Sequence, residues 1–170
     1  WALDNELAFR GHVVVWPGWS HLPKNLRTLE NDEVALREAV NAHIDEALAL
    51  TKGSGMIQWD LVNEPYDNHD LMDILGDDIL IEWYNQVHAV DPFPRLILNE
   101  YNILSSGGLQ DFQNDLDYYV SLLLSGGAPL GGIGMQCHFD ANLTGIPRIL
   151  EVLDRFSLHG LPIQITEFDI

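Results

Sequence analysis

Basic side chains are scarce in this 170-residue sequence: eight Lys and Arg residues stand against 26 Asp and Glu residues, for a formal net charge of −18. Nucleic acids and anionic membranes are recognised through basic patches, so this balance argues against both as partners. A neutral polymer such as a polysaccharide is compatible with the charge. A soluble acidic surface accounts for most of the charge without any partner.

Cysteine is nearly absent as well, since Cys137 is the only one. An intrachain disulfide and a thiolate metal cluster are therefore both excluded. No apolar run is long enough to span a membrane, and no basic and apolar leader opens the chain. The sequence begins at Trp1 without a Met, so a leader could have been removed or never included. No Gly-rich phosphate loop follows the first apolar run, and we expect neither a cofactor nor a metal.

Apolar runs alternate with segments of helical periodicity along the chain. Strands are predicted at residues 9–16, 56–62, 95–99, 132–136 and 163–166, and helices at residues 33–50, 77–90, 109–124 and 146–159. Thr144 is the predicted N-cap of the last helix, with Pro147 in its first turn. Strands that are apolar on consecutive positions and separated by helices predict a parallel α/β sheet in one domain over residues 1–170. A doubly wound sheet and a barrel both satisfy this pattern.

Polar side chains collect where each predicted strand ends. They are Trp16, Asn63, Glu64, Asn99, Glu100, Asn102, Gln136, His138, Glu167 and Asp169, while His12 lies early in the first strand. Function places polar groups at the C-terminal ends of parallel strands in a barrel, whereas structural needs would place them at both ends. Two of these residues, Glu64 and Glu167, would form the carboxylate pair that cleaves a glycosidic bond.

Five segments in order resemble glycoside hydrolase family 10, the endo-β-1,4-xylanases. They are residues 10–16 (RGHVVVW), 59–65 (WDLVNEP), 99–102 (NEYN), 132–138 (GIGMQCH) and 165–170 (ITEFDI). The resemblance implies a (β/α)8 TIM barrel, of which this chain is an incomplete piece covering about strands 3 to 7. It also implies a retaining xylanase that hydrolyses internal β-1,4 bonds of xylan, is a monomer in its full-length form and is secreted.

The same resemblance implies roles for individual residues. Glu64 would be the acid/base and Glu167 the nucleophile, with the two carboxyl groups ~5–5.5 Å apart as a retaining mechanism needs. His138 and Asp169 would orient the nucleophile. Asn63 would bind the sugar 2-hydroxyl, and the other expected substrate-binding residues are His12, Trp16 and Gln136.

Two departures from the family pattern stand out. Pro17 follows Trp16 where the family usually has a histidine, and His21 is a possible substitute. Strands one, two and eight have no candidates, which predicts a fragment of a longer enzyme, because a typical barrel needs about 250 residues. The alternatives are a β-1,4-glucanase on the same barrel, a metal-dependent hydrolase using His12 and His138, and a non-catalytic sugar-binding barrel.

Overall fold

Five parallel strands in sequence order form the sheet of this protein. The computed structural model describes residues 1–170, apart from the side chain of Leu3. The strands are β1 (Phe9–Val15), β2 (Met56–Asn63), β3 (Arg95–Glu100), β4 (Gly132–Met135) and β5 (Ile163–Ile165). The helices are α1 (Glu33–Thr51), α2 (Asp70–Leu75), α3 (Ile79–Val90), α4 (Gln110–Ser125) and α5 (Ile146–Ser157), with short 3₁₀ turns at Leu3–Asn5 and Leu26–Leu29.

The strand order distinguishes between the two architectures that the sequence left open. Each strand pairs in parallel with the next one in the chain, from β1 to β5. Crossovers between parallel strands are right-handed, so an order that never reverses carries all the helices to one side of the sheet. A doubly wound sheet needs a reversal of strand order. The observed order is that of a barrel segment, and within the described chain β1 and β5 pair on one side only.

An apolar core lies between the helices and the sheet. On α1, Leu36, Val40, Ile44 and Leu48 are buried at four-residue spacing, as the helical periodicity predicted. The Asp32 side chain begins this helix by accepting a hydrogen bond from the backbone N–H of Ala35 at 3.0 Å. The largest fully buried side chains lie on the helices that follow, namely Trp83, Tyr84 and Phe156. None of the helices among the described residues combines the length and hydrophobicity that crossing a membrane would need.

Every predicted strand and helix is present, with bounds within two residues of those expected. The short helix α2 was missed because six residues are too few to show a period. Its place is fixed by distant contacts, since Asp70 accepts a hydrogen bond from the backbone N–H of Trp19 at 2.7 Å.

The predicted N-cap of α5 was wrong. Gly145 occupies the N-cap, and the buried hydroxyl of Thr144 has no hydrogen-bond partner in the part of the chain that the structure describes. Thr144 lies one residue too early, so its side chain does not reach the first N–H groups of the helix. The position of Pro147 in the first turn is confirmed.

The backbone of β1 passes directly over an aromatic ring of β2. A Cβ atom at Gly11 would overlap the indole of Trp59, which is buried in the core. We expect Gly11→Ala to lower the free energy of unfolding by about 1–3 kcal/mol, the usual cost of overpacking. Denaturant unfolding of the longer polypeptide that carries these residues measures this. Gly145→Ala is the control without a steric clash, because a Cβ there meets only Pro147 at 3.8 Å, and the poorer N-cap should cost less than about 1 kcal/mol. Equal stability of the two variants would refute the close approach.

Candidate active site

Glu64 follows the last residue of β2 and has a left-handed backbone conformation with φ of 54°. Its backbone N–H donates to the carbonyl of Asn99 on the neighbouring strand at 2.8 Å. One carboxyl oxygen accepts a hydrogen bond from Gln136 Nε2 at 2.8 Å, and the other accepts one from Asn68 Nδ2 at 3.4 Å. The direct donors to this carboxyl group are therefore neutral amides.

Glu167 lies two residues beyond β5, and its side chain is 28% exposed. Its backbone N–H donates to the carbonyl of Gln136 at 3.0 Å. Oε1 accepts a hydrogen bond from Asn99 Nδ2 at 2.9 Å, while Oε2 is 3.2 Å from His138 Nε2. The same Oε1 is 3.8 Å from His12 Nδ1. In contrast to Glu64, this carboxylate has an imidazole on each side.

Three amide side chains join the two glutamates into one network. Asn63 Oδ1 accepts hydrogen bonds from Asn99 Nδ2 at 2.9 Å and from Gln136 Nε2 at 3.3 Å, and these two amides in turn bind Glu167 and Glu64. The buried Asn63 Nδ2 has no partner among the described residues. An unpaired buried donor is costly. Because Asn63 is fully buried, a sugar 2-hydroxyl would reach this donor only after neighbouring side chains move, and the contact that the resemblance implies stays a prediction.

His138 bridges the ends of β4 and β5. Its Nδ1 is 3.1 Å from Asp169 Oδ1, and its Nε2 is 3.2 Å from Glu167 Oε2. Backbone pairing supports this contact, because His138 and Asp169 form an isolated parallel bridge beyond the two strands. The structure thus places the imidazole between the two carboxylates, as the sequence predicted.

His12 belongs to a second charged group, which also contains Asp60 and Arg10. His12 Nδ1 is 2.9 Å from Asp60 Oδ2, and the fully buried Asp60 also pairs with Arg10. The hydrogen bond to Asp60 raises the pKa of His12 against the lowering effect of burial. Ligand atoms from His12, Asp60 and Glu167, one from each residue, lie within 4.8 Å of one another, a spacing that could accommodate a cation. Asp60 already pairs with Arg10, and a proton on His12 would repel a metal ion. These side chains therefore suit a network of ion pairs and hydrogen bonds better than a metal site.

Trp16 lies against a histidine that the sequence left without a defined place. The rings of Trp16 and His21 stack with centroids 3.8 Å apart and an interplanar angle of 6°. His21 therefore covers one face of the indole, and a sugar would have to use the other face. The sequence offered His21 as a substitute for the imidazole lost at Pro17. The structure does not support this role beside Glu167, because the His21 ring stacks on Trp16.

Several residues of the site were missed as site residues by sequence reasoning. Asn99 and Glu100 were noticed only as polar residues at a strand end, and Arg10, Asp60 and Thr166 received no role. Thr166 Oγ1 donates to Asn99 Oδ1 at 2.7 Å, which fixes the orientation of the Asn99 amide toward Glu167. The register pairs Asn63 with Asn99, so a correct alignment of β2 and β3 would have revealed the link.

We expect the imidazole of His138 to titrate above its ordinary pKa. Burial lowers the pKa, but the hydrogen bonds and charges of Asp169 and Glu167 outweigh it and raise the value. A pKa raised in the folded state stabilises the fold fully below the unfolded pKa of about 6.5, and this contribution is lost as the pH rises through the folded pKa. Imidazole NMR titration measures the value. Asp169→Asn should lower it and Asp154→Asn should leave it unchanged; an unaltered pKa in Asp169→Asn would refute the contact.

Comparisons with known proteins agree with the fold. The family model of Glycosyl hydrolase family 10 matches residues 1–170. "Endo-1,4-beta-xylanase B" of Paenibacillus barcinonensis is 29% identical over 181 residues, which cover 99% of this chain and 52% of the relative. "Exoglucanase XynX" of Acetivibrio thermocellus is 30% identical over 185 residues, which cover 100% of this chain and 17% of the relative.

Solved structures give the same result. A structure of GH10 from Paenibacillus barcinonensis superposes with a TM-score of 0.85 and 28% identity, covering 99% of this chain and 53% of the other. Xylanase 10B from Thermotoga petrophila in complex with xylobiose gives a TM-score of 0.86 and 27% identity, covering 99% of this chain and 51% of the other. The chain thus spans about half the length of these structures, and its five strands are a partial (β/α)8 barrel.

Proposed function

Because the chain belongs to glycoside hydrolase family 10, we propose that it carries the catalytic centre of a retaining endo-β-1,4-xylanase. The observation that carries the proposal is the pair of glutamates at the ends of β2 and β5, joined through Asn63, Asn99 and Gln136. The similarity to proteins named as xylanases supports xylan as the substrate.

The unequal surroundings of the two glutamates support different roles for them, with Glu167 as the nucleophile and Glu64 as the acid/base. Glu167 faces the imidazoles of His12 and His138, whose nitrogens lie 3.8 Å and 3.2 Å from its carboxylate oxygens, and an imidazolium there would attract the carboxylate proposed as the nucleophile. Glu64 receives hydrogen bonds from the amides of Gln136 and Asn68, which carry no charge. An ionised nucleophile and a proton-carrying acid are what the first step of a retaining reaction requires.

The reaction then proceeds in two displacements. The Glu167 carboxylate attacks the anomeric carbon, the glycosidic C–O bond breaks, and Glu64 gives its proton to the departing oxygen. The resulting glycosyl ester is attacked by water, whose proton returns to Glu64 as the ester bond to Glu167 breaks. Asn63, whose buried Nδ2 has no partner among the described residues, would bind a sugar hydroxyl once the substrate displaces the groups that cover it.

The test uses a polypeptide that contains residues 1–170 within a complete barrel. Reducing-sugar release from xylan and from carboxymethylcellulose, with and without chelator, is expected to show chelator-insensitive hydrolysis of xylan. Proton NMR of the first product should show the β-anomer, because two displacements retain configuration. Initial release of the α-anomer, or loss of activity with chelator, would contradict the mechanism.

A β-1,4-glucanase is the second candidate, and the similarity to a protein named an exoglucanase favours keeping it. Both activities would use the same two carboxylates, so the ratio of rates on xylan and on cellulose distinguishes them. A non-catalytic sugar-binding barrel is disfavoured by the presence of Glu64 and Glu167 with their hydrogen-bond partners.

We further propose that residues 1–170 need the rest of the barrel for activity. The sheet formed by these residues is open at β1 and β5, and α5 exposes Ile146 and Leu150 on one face, at 73% and 54% exposure. Unpaired edges and exposed apolar side chains promote association between chains. Residues 1–170 expressed alone are expected to aggregate or to melt without cooperativity in circular dichroism. A soluble, cooperatively melting monomer with full xylanase activity would refute this.

A further inference from the structure

A third glutamate lies beside the acid/base without a role in the two displacements. Glu100 is the last residue of β3, and its carboxyl side chain is fully buried. One oxygen accepts a hydrogen bond from the backbone N–H of Tyr101 at 2.8 Å, and the other accepts one from the backbone N–H of Tyr66 at 3.1 Å. A buried carboxyl group is costly unless such donors compensate it, so these two bonds account for its tolerance in the interior.

The bond to Tyr66 holds the loop that carries the acid/base. Glu64 has a left-handed backbone, which is unfavourable for a residue with a Cβ atom, and Pro65 has no N–H to donate. Residues 64–66 therefore have only two backbone N–H groups. The one of Glu64 donates to the Asn99 carbonyl, and the one of Tyr66 donates to the Glu100 carboxyl group. Both anchors of this turn lie at the end of β3.

Glu100 also reaches the Glu64 carboxyl group by a second route. Its backbone carbonyl accepts the N–H of Gln136 at 3.0 Å, and the Gln136 side chain donates to Glu64 Oε1 at 2.8 Å. The backbone and the side chain of one residue thus constrain the acid/base from two directions.

We propose that Glu100 is a positioning residue for the acid/base, whose buried carboxyl group fixes the turn at Tyr66 and thereby directs the Glu64 carboxyl group at the glycosidic oxygen. This inference rests on the proposed function. Burial raises the pKa of Glu100 well above its usual range, although the two backbone N–H groups lower it. Both oxygens of the side chain accept hydrogen bonds, so the isosteric amide of glutamine, which keeps one acceptor and gains one donor, probes these bonds.

The test exploits the dependence of general acid catalysis on the leaving group. A 2,4-dinitrophenolate departs without a proton, whereas a sugar hydroxyl or an unactivated phenol needs one. In the complete enzyme, Glu100→Gln places an NH₂ group against one of the two backbone donors and should move the turn. We expect kcat/KM for phenyl β-xylobioside to fall by about 10–100-fold, a part of the 10²–10⁴-fold due to a general acid. The value for 2,4-dinitrophenyl β-xylobioside should stay within about threefold of the wild type.

Controls separate positioning from a general loss of structure. Val152→Ala, in the buried face of α5, should leave the ratio of the two kcat/KM values unchanged whatever it does to stability. Glu100→Asp, which is too short to keep both bonds, should change the ratio in the same direction as Glu100→Gln. An equal loss on both substrates, an unchanged ratio, or failure of both Glu100 variants to fold would overturn the inference. A wild-type enzyme inactive on both xylobiosides would overturn the proposed function and this inference together.

Discussion

Glu167→Ala in the complete enzyme is expected to abolish hydrolysis of xylan and of activated aryl xylobiosides alike, with kcat lowered by on the order of 10⁵-fold. The covalent glycosyl intermediate cannot form without this carboxylate, so a better leaving group does not help. The loss is measured by reducing-sugar release from xylan and by release of 2,4-dinitrophenolate.

Added azide tests more specifically whether Glu167 is the nucleophile. The small anion can enter the space left by the Glu167 side chain and attack the anomeric carbon once, which gives an α-xylobiosyl azide of inverted configuration from an activated substrate. Glu151→Ala is the control, because Glu151 is exposed on α5 and forms an ion pair with Arg148 on the same helix. Turnover by Glu167→Ala without any added nucleophile would contradict the assignment.

The difference between the two glutamates arises from the strands that flank them. Glu167 lies at the end of β5, beside β4, and its Oε2 contacts His138 at 3.2 Å. On its other side, β1 contributes His12, whose Nδ1 is 2.9 Å from Asp60 and whose pKa is raised mainly by that hydrogen bond. Glu64, at the end of β2, receives hydrogen bonds from the side-chain amides of Gln136 and Asn68. The two carboxyl groups thus have different surroundings because different strands and loops supply their neighbours.

Asn99 links the surroundings of Glu64 and Glu167 into one hydrogen-bonded site. Its amide nitrogen contacts Asn63 and Glu167, its carbonyl oxygen receives the Thr166 hydroxyl, and its backbone carbonyl holds the N–H of Glu64. The absence of a side chain at Gly134, its partner in β4, leaves room for this arrangement, because a Cβ there would collide with the Asn99 amide. A shift of Asn99 would therefore disturb both catalytic carboxyl groups.

Much of the fold follows from local sequence. The strands are short apolar runs bounded by Gly, Pro and polar residues, and the helices carry apolar residues at a helical period, so both are visible without tertiary information. The polar residues at strand ends predicted which edge of the sheet bears the site, and the ordered segments of the family assigned Glu64, Glu167 and His138 to it. The structure brings these residues together as expected.

What escaped prediction depends on contacts between distant segments. The burial of Asp60 between Arg10 and His12 depends on the register of β1 against β2, which an apolar run does not specify. The stacking of His21 on Trp16 is formed by a loop with no period of its own. Likewise, Glu100 could not be distinguished from a solvated carboxylate at a strand end until its bond to the N–H of Tyr66 was known.

Glu64→Ala should produce a different kinetic pattern from the loss of the nucleophile. Without the acid, kcat/KM for phenyl β-xylobioside and for xylan should fall by about 10²–10⁴-fold, because the leaving oxygen must depart unprotonated. With 2,4-dinitrophenyl β-xylobioside the first displacement needs no proton, so kcat/KM should remain close to that of the wild type. The second displacement loses its base, so the glycosyl-enzyme should accumulate and appear as a burst of dinitrophenolate.

Azide distinguishes the two glutamates in a single measurement. In Glu64→Ala, azide needs no general base, so it should react with the glycosyl-enzyme on Glu167 and release a β-xylobiosyl azide of retained configuration. The same addition to Glu167→Ala gives the inverted product, so opposite stereochemistry in two single variants identifies which carboxylate forms the covalent bond. Glu151→Ala should show neither a burst nor an azide product. Equal losses by Glu64→Ala on both xylobiosides, or an inverted azide product from it, would show that Glu64 is not the acid/base.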